Sequence, residues 1–406
     1  MVKVLRSLVR GPLEPHAAGF AEELARLGYS RASAEQQVCL IAHLDRWMTA
    51  AGVGVAELSG PVLERYLAER RAGGYAMHRS ARALQPLLDY LTPLGVLPVA
   101  EVVTPGPVDE LLGRYRHYLL VERGLTEGTA RGYVDVVRPF VVTRLRDGAL
   151  DLTAITATDV TGFVLAACPG YSTGWAKLIV CGLRSLLGWL HLTGAMDVSL
   201  AAAVPSVAGW RLSSLPKGLE PGQLRRLLAA PDRRSATGRR DYAVLVLLAR
   251  LGLRAGEVAG LGLDDIDWRR GEITIVGKGN RGEQLPLPTD VGTAITAYLR
   301  RGRPGTAQGR SVFVRVHAPH RALTTGGVTM IVFDAAQRAG LGKIHAHRLR
   351  HTAATAMLQA GAPLAEVGQV LRHRSALSTA IYAKVDRAAL AVLARPWPIE
   401  LSGGVS

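Results

Sequence analysis

The chain has 406 residues, 48% of them hydrophobic, and a formal net charge of +16, which allows two or three folded domains. No apolar run approaches the roughly 20 residues of a membrane helix, and the charged N-terminal segment lacks the apolar core of a secretory signal, so we expect a cytoplasmic protein. Cys39, Cys168 and Cys181 are odd in number and far apart, which argues against a disulfide framework and predicts small buried side chains.

The positive charge is concentrated in the C-terminal half. Residues 215–406 hold 28 basic and 14 acidic side chains, whereas residues 1–107 hold 11 and 10. A field of that strength on one part of the chain favours a polyanionic partner. A merely solubilising surface is the alternative, but it would not explain the segregation.

The first two segments of the chain resemble each other. Residues 27–47 align with residues 123–143 at an offset of 96, and in each copy a serine or threonine cap precedes an amphipathic helix. The pattern predicts a duplicated, all-helical unit of about four helices. Two unrelated helical bundles with similar periodicity remain the alternative.

Two proline-containing stretches, at 98–110 and 204–223, have the composition of linkers. They give a division into four parts. We expect an N-terminal helical domain, a second helical domain, a larger basic domain and a C-terminal tail, at residues 1–105, 108–205, 215–395 and 396–406.

The basic domain has a mixed pattern. The stretch IDWRRGEITIVGKGNRGEQLPLP predicts three short strands, with turns at 269–271 and 277–282. The expected fold class is therefore multidomain and mainly α, with a mixed α+β domain containing a small antiparallel sheet. Helices are predicted near residues 290–303, 326–340, 347–360, 363–371 and 376–394.

The stretch HAHRLRHTAATAML begins with closely spaced histidines and arginines and contains no carboxylate. On a helix that starts near His347, the side chains of His347, Arg350 and His351 share one face. The spacing of the two histidines is that of a zinc motif, but Arg348 stands where that motif has its glutamate. Guanidinium groups repel a metal ion and bind phosphate oxygens, so we expect an anion site and no metal.

Three further places carry residues of the same chemistry. Arg254 and Glu257 lie in GLRAGEV, Lys278 lies in the glycine-flanked turn VGKGN, and Tyr382 follows His373 by nine residues. Taken alone, these residues are typical of an exposed ion pair, a solvated turn, a packed tyrosine and a helix-end histidine. Their order and spacing together carry the interpretation.

This set resembles the catalytic domain of the tyrosine recombinases, the phage-integrase family. The resemblance covers about residues 215–395, and residues 108–205 are similar to that family's core-binding domain. It implies that Arg254 and Arg350 clamp the non-bridging oxygens of the scissile phosphate. His347 and His373 would then add hydrogen bonds and proton shuttling. No cofactor or metal is implied.

The resemblance also implies that Tyr382 attacks phosphorus to give a 3′-phosphotyrosyl link, and that Lys278 protonates the leaving 5′ oxygen. His351 would be a supporting residue and Glu257 would orient Arg254. A free tyrosine has a pKa near 10, so surrounding positive charge is needed to make it a nucleophile. Arg372 and Arg374, on either side of His373, are additional charge whose role the family does not settle.

The expected function is site-specific DNA recombination by an integrase or transposase of a mobile element. Its partner would be double-stranded DNA, on which it would assemble as a homo-tetramer with accessory or directionality proteins. We expect it in the nucleoid and away from any membrane. Relaxation of DNA by a type IB topoisomerase is one alternative. A catalytically inactive DNA-binding or architectural protein is the other.

Overall fold

A computed structural model describes most of the chain. It covers residues 9–98, 105–208, 218–277 and 282–372, together with Thr379 and Tyr382. The chain divides into two compact units, of which one contains residues 1–100 and 214–406 and the other contains residues 101–213. The prediction of a mainly helical, multidomain fold with small antiparallel sheets is confirmed.

Within the described residues 9–98 of the first unit, four helices surround their own hydrophobic core. Ser30 caps the second helix by accepting a hydrogen bond from the backbone N–H of Ser33 at 3.2 Å. The buried carboxylate of Asp45 accepts backbone N–H groups ahead of the first helix, including that of Leu13 at 2.9 Å. The helices are α1 Glu14–Arg26, α2 Arg31–Ala51, α3 Gly60–Ala72 and α4 Ala81–Leu91.

The described part of the second unit, residues 105–208, also has four long helices, and Thr126 caps the second of them as Ser30 caps α2. Between its second and third helices, strands β1 Leu145–Arg146 and β2 Ala149–Leu150 form a hairpin that departs from the all-helical prediction. Asp147 and Gly148 form its turn with φ of +47° and +82°, the left-handed conformation that a tight two-residue hairpin turn requires. The helices are α5 Pro107–His117, α6 Glu127–Val142, α7 Ala157–Ala167 and α8 Thr173–Leu192.

The remainder of the first unit surrounds one long, almost fully buried helix. Residues 243–249 of this helix are all apolar and buried because neighbouring helices pack around it, including the helix that carries the histidine and arginine motif. The helices are α9 Pro221–Ala229, α10 Ala236–Leu251, α11 Ala255–Gly260, α12 Thr289–Arg301, α13 Thr325–Arg338, α14 Ala346–Gln359 and α15 Leu364–Val370. The helix predicted at 376–394 lies outside the described residues.

The predicted three-stranded sheet is present in this region. Strands β3 Ile266–Asp267, β4 Glu272–Val276 and β5 Gly282–Pro286 pair antiparallel in that order. Ile273 and Ile275 point into the core, as the alternation of β4 requires. The turn between β4 and β5, which contains Lys278, lies outside the described residues.

The prediction of buried cysteines is wrong for two of the three. Cys39 and Cys181 are exposed, and Cys168 is half-buried. The buried faces of α2 and α8 are formed mainly by other apolar residues, and Cys39 and Cys181 lie outside those faces. Separately, no helix among the described residues is long and apolar enough to cross a membrane.

Candidate active site

Arg254 is held at the start of α11. Helix α10 ends at Gly252, and Arg254 is the N-cap residue of the next helix. Its backbone N–H donates to Oε2 of Glu257 at 2.8 Å, and its Nη1 donates to Oε1 of the same carboxylate at 2.6 Å. Because the side chain of Arg254 is 42% exposed, its guanidinium remains accessible to a ligand.

Glu257 is buried and shared between two arginines. In addition to Arg254, it accepts a hydrogen bond from Nη2 of Arg372 at 2.8 Å. Burial raises the pKa of Glu257, but the Arg254 backbone N–H and the charges of Arg372 and Arg254 outweigh burial and leave the pKa below its usual value. The carboxylate is therefore ionised at neutral pH. Two hydrogen bonds from Arg254 end on this carboxylate, and its role in orienting Arg254, implied by the family resemblance, stays a prediction.

A cavity of about 600 Å³ opens beside this cluster. Its lining includes Arg254, Glu257, His345, His347 and Gly277. Gly277 directly follows β4 and is the last described residue before the turn that carries Lys278. The cavity therefore brings together the α11 arginine, the first histidine of α14 and the end of the hairpin.

Arg350 lies deeper, with only 1% of its surface exposed. Its Nη1 donates to the backbone oxygen of Gly252 at 2.6 Å, and its Nη2 donates to the backbone oxygen of Leu371. Gly252 has φ of +59°, and a Cβ there would lie 2.6 Å from the side chain of Leu371, so the close approach requires glycine. Burial and the nearby Arg254 lower the pKa of Arg350 to about 10, which leaves it charged at neutral pH.

His347 and His351 lie one turn apart on α14, with ring centroids separated by 4.5 Å. Burial lowers the pKa of His347, with smaller contributions from Arg350 and Arg254. Burial, His347 and Arg350 lower the pKa of His351 to about 4. Both rings are consequently neutral at pH 7, so each can accept a hydrogen bond.

Tyr382 is 1% exposed and packs in a small apolar cluster with Leu358, Val367 and Leu371. A hydrogen bond of 2.7 Å joins its Oη to Nδ1 of His351. Burial raises the pKa of Tyr382, and the charge of Arg350 acts in the opposite direction. The phenol is therefore protonated at neutral pH in this arrangement.

Six of the eight residues selected from the sequence thus fall in one region. Arg254, Glu257 and His347 line the cavity, and Arg350, His351 and Tyr382 form the deeper part of the cluster. Lys278 and His373 lie outside the described residues. The contact that sequence reasoning missed is Arg372 to Glu257, because nothing local marks a pairing between residues 115 positions apart.

Charged arginines, neutral imidazoles and a buried phenol thus lie together in one cluster. Residues 217–388 match the sequence profile of the Phage integrase family. The chain is 40% identical to "Putative integrase/recombinase y4rA" of Sinorhizobium fredii (strain NBRC 101917 / NGR234) over 96% of both chains. It is 31% identical to tyrosine recombinase XerD of Listeria monocytogenes serotype 4b (strain F2365), over 69% of this chain and 95% of the relative.

Solved structures agree on the fold. The XerH site-specific recombinase bound to its palindromic difH substrate, in a post-cleavage complex, matches with a TM-score of 0.57 and 18% identity. That match covers 71% of this chain and 96% of the solved one. The chain belongs to the phage integrase family of tyrosine recombinases and is an enzyme of that class.

Proposed function

We propose that the protein cuts and rejoins duplex DNA at a specific site through a 3′-phosphotyrosyl intermediate on Tyr382. The observation that carries the proposal is the meeting of Tyr382 with His351, next to Arg350 and close to the accessible Arg254. The concentration of basic residues in the same domain supports a DNA partner, because phosphate contacts supply most of the affinity for a duplex.

In the proposed reaction, the phenolic oxygen of Tyr382 attacks the scissile phosphorus and the bond from phosphorus to the 5′ oxygen breaks. The neutral ring of His351 accepts the phenolic proton at Nδ1, and Lys278 supplies the proton that the 5′ oxygen takes up. In the reverse step, a 5′ hydroxyl attacks the phosphotyrosyl link and the phenol leaves with a proton. The phosphodiester energy is kept in the intermediate, so no nucleotide cofactor is required.

Arg254 and Arg350 have distinct parts in this proposal. The transition state carries more negative charge on its phosphoryl oxygens than the ground state does, and preorganised donors stabilise that charge. Arg254 is accessible and meets the phosphate first, whereas the buried Arg350 supplies a fixed positive charge beneath it. His347 and His373 donate or accept further hydrogen bonds around the same phosphate. These protein cations take the place of a metal ion.

We further propose that the protein is an integrase or transposase of a mobile element and acts in the cytoplasm at the nucleoid. The match to the integrase/recombinase relative covers 96% of both chains. The match to the XerD relative covers nearly all of that protein but only 69% of this chain. The additional length fits the N-terminal helical domain, which we propose is a duplicate of the core-binding domain and contacts DNA or protein. A tetramer on two DNA sites, with residues 386–400 docking into a neighbour, completes the proposal.

The experiment identifies the target site by isolating the DNA duplexes that become covalently attached to the protein. The protein is incubated, with and without EDTA, with a pool of nicked duplexes that contain a random central stretch. Covalent adducts are isolated under denaturing conditions and their DNA is sequenced. We expect adducts in EDTA that share one sequence motif, and none with Tyr382→Phe. Tyr298→Phe is the matched control, since Tyr298 is also buried but lies against Val314, and it should keep adduct formation.

Other outcomes lead to different functions. Adducts without a shared motif, together with relaxation of any plasmid, would indicate a topoisomerase. Bound duplex without any adduct would indicate a DNA-binding protein that lacks strand cleavage. For the assembly, deletion of residues 386–406 should abolish synaptic complexes on the selected duplex, and complexes of unchanged size would refute the docking tail.

A further inference from the structure

Arg372 occupies a position where arginine is unfavourable on two grounds. It follows the end of α15 with φ of +56°, a left-handed conformation that favours glycine. Its side chain is also buried, with 8% of the residue exposed, which removes a guanidinium from water. A glycine would avoid both costs, so the contacts of this side chain have to account for its presence.

The guanidinium of Arg372 donates a hydrogen bond to one carboxylate oxygen of Glu257. Its Nη2 donates to Oε2 at 2.8 Å, and the backbone N–H of Arg254 donates to the same oxygen at 2.8 Å. Only Oε1 is then left for the guanidinium of Arg254, which binds it through Nη1. An arginine and a carboxylate otherwise prefer a two-point contact through both oxygens. Arg372 therefore prevents the guanidinium of Arg254 from binding both oxygens of Glu257.

The backbone of the same turn holds the two phosphate-binding arginines of the proposed function. The carbonyl oxygen of Arg372 accepts a hydrogen bond from Nη2 of Arg254 at 3.3 Å, and that of Leu371 accepts one from Nη2 of Arg350. Carbonyl groups at a helix C-terminus lack partners within the helix and carry partial negative charge. The turn after α15 thus fixes two guanidiniums that come from α11 and α14.

We propose that Arg372 is a positioning residue for strand cleavage. Its bond to Glu257 holds the left-handed turn in place and keeps Arg254 on a single carboxylate oxygen, so that the guanidinium stays available to the scissile phosphate. The proposal rests on the proposed function, in which Arg254 and Arg350 bind that phosphate. It adds a residue that acts through Arg254 and does not itself contact DNA.

The test compares Arg372→Gly, Arg372→Lys and the wild type on the duplex selected by adduct capture. Glycine keeps the left-handed turn without strain but removes the guanidinium, and lysine restores a cation that can reach Glu257. We expect Arg372→Gly to form adducts at least about tenfold more slowly under single-turnover conditions, because a misplaced catalytic group is costly. Its thermal midpoint and its dissociation constant for the duplex should stay close to those of the wild type. Arg372→Lys should recover much of the rate.

His78→Gly is the matched control. His78 has the same φ of +56° in the N-terminal domain, so this change relieves equal backbone strain without touching the site. Its rate should equal that of the wild type. If Arg372→Gly does not fold, Arg372→Asn serves in its place, because asparagine tolerates left-handed backbone and also lacks the charge.

The outcomes separate this proposal from the function on which it rests. If the wild type forms no adduct with any duplex, the proposed function fails and the positioning role fails with it. If the wild type reacts and Arg372→Gly reacts as fast as His78→Gly, only the positioning role is overturned. A slower reaction that is fully explained by a smaller folded fraction, with no rescue by lysine, would also overturn it.

Discussion

Nδ1 of His351 lies 2.7 Å from Oη of Tyr382, so the phenol is hydrogen-bonded to a ring that is one turn from His347 on α14. The pKa of His351 is lowered to about 4 by burial, by His347 and by Arg350, which keeps the ring neutral. A neutral ring can accept the phenolic proton. The proposed function therefore assigns this histidine a more direct part than the supporting role that the family resemblance implies.

The first prediction concerns His351→Phe. Phenylalanine fills the same space but cannot accept a proton, and we expect adduct formation to slow by about 100-fold, the lower end of the range for general-base catalysis. The affinity for the selected duplex should be unchanged, since the ring is not expected to bind phosphate. Single-turnover adduct assays and fluorescence anisotropy measure the two quantities. An unchanged rate would remove His351 from the reaction.

The second prediction follows from the same lowered pKa. In the unfolded chain His351 takes up a proton near pH 6.5, whereas in the folded protein it does so only near pH 4. Folding stability from this residue is therefore present above pH 6.5 and is lost as the pH falls towards 4. Between pH 7.5 and pH 4.5, we expect the free energy of unfolding of the wild type to fall by about 1–2 kcal/mol more than that of His351→Phe. This figure allows for solvent screening. Urea unfolding at pH 7.5 and 4.5 measures the difference, and parallel pH profiles would contradict it.

The third prediction concerns the buried Arg350. Lysine cannot reproduce the two separate bonds from a planar guanidinium to Gly252 and Leu371. We expect Arg350→Lys to lower the free energy of unfolding by about 2–4 kcal/mol and adduct formation by at least about 100-fold. Denaturant titration and the adduct assay are the measurements. Arg338→Lys, an exposed change on α13, should stay within about 0.5 kcal/mol of the wild type.

The fourth prediction concerns the charge of Glu257. Because its pKa lies below the usual 4.5, its ionised form stabilises the folded state above that pH, and this stability is lost as the pH falls below 4.5. Glu257→Gln should lower the free energy of unfolding by about 1–3 kcal/mol at pH 7. The gap between the variant and the wild type should narrow in unfolding experiments below pH 4.5. If the difference in the free energy of unfolding between Glu257→Gln and the wild type stayed constant with pH, the charge of Glu257 would not be what stabilises the fold.

The fifth prediction separates two threonines on α14. The hydroxyl of Thr352 accepts the backbone N–H of Leu219 at 2.8 Å and donates to the backbone oxygen of Arg348. Thr355 has a buried hydroxyl with no hydrogen-bond partner among the described residues. We expect Thr352→Val to cost about 1–2 kcal/mol and Thr355→Val to be neutral or stabilising. Equal effects in thermal unfolding would show that the bond to Leu219 contributes nothing.

The local features of this protein could be predicted because they depend on neighbours in the sequence. The periodic helices, the three strands near residues 266–286 and the caps at Ser30 and Thr126 follow from spacing and from residue type. The exposed positions of Cys39 and Cys181 were not predictable in this way. A small apolar residue fits either face of a helix, and the packing of the other residues decides which face is buried.

The sequence by itself determined the family and the mainly helical fold, and it predicted which side chains would act on a phosphodiester, since all three depend on order and spacing along the chain. Only the tertiary structure decided how these side chains meet. Glu257 is shared by Arg254 and by Arg372, which lies 115 residues away, and Arg372 adopts a left-handed conformation that its own residue type disfavours. The physical reason is that a buried charge has to find its partner wherever packing brings one, and local propensity carries no information about that choice.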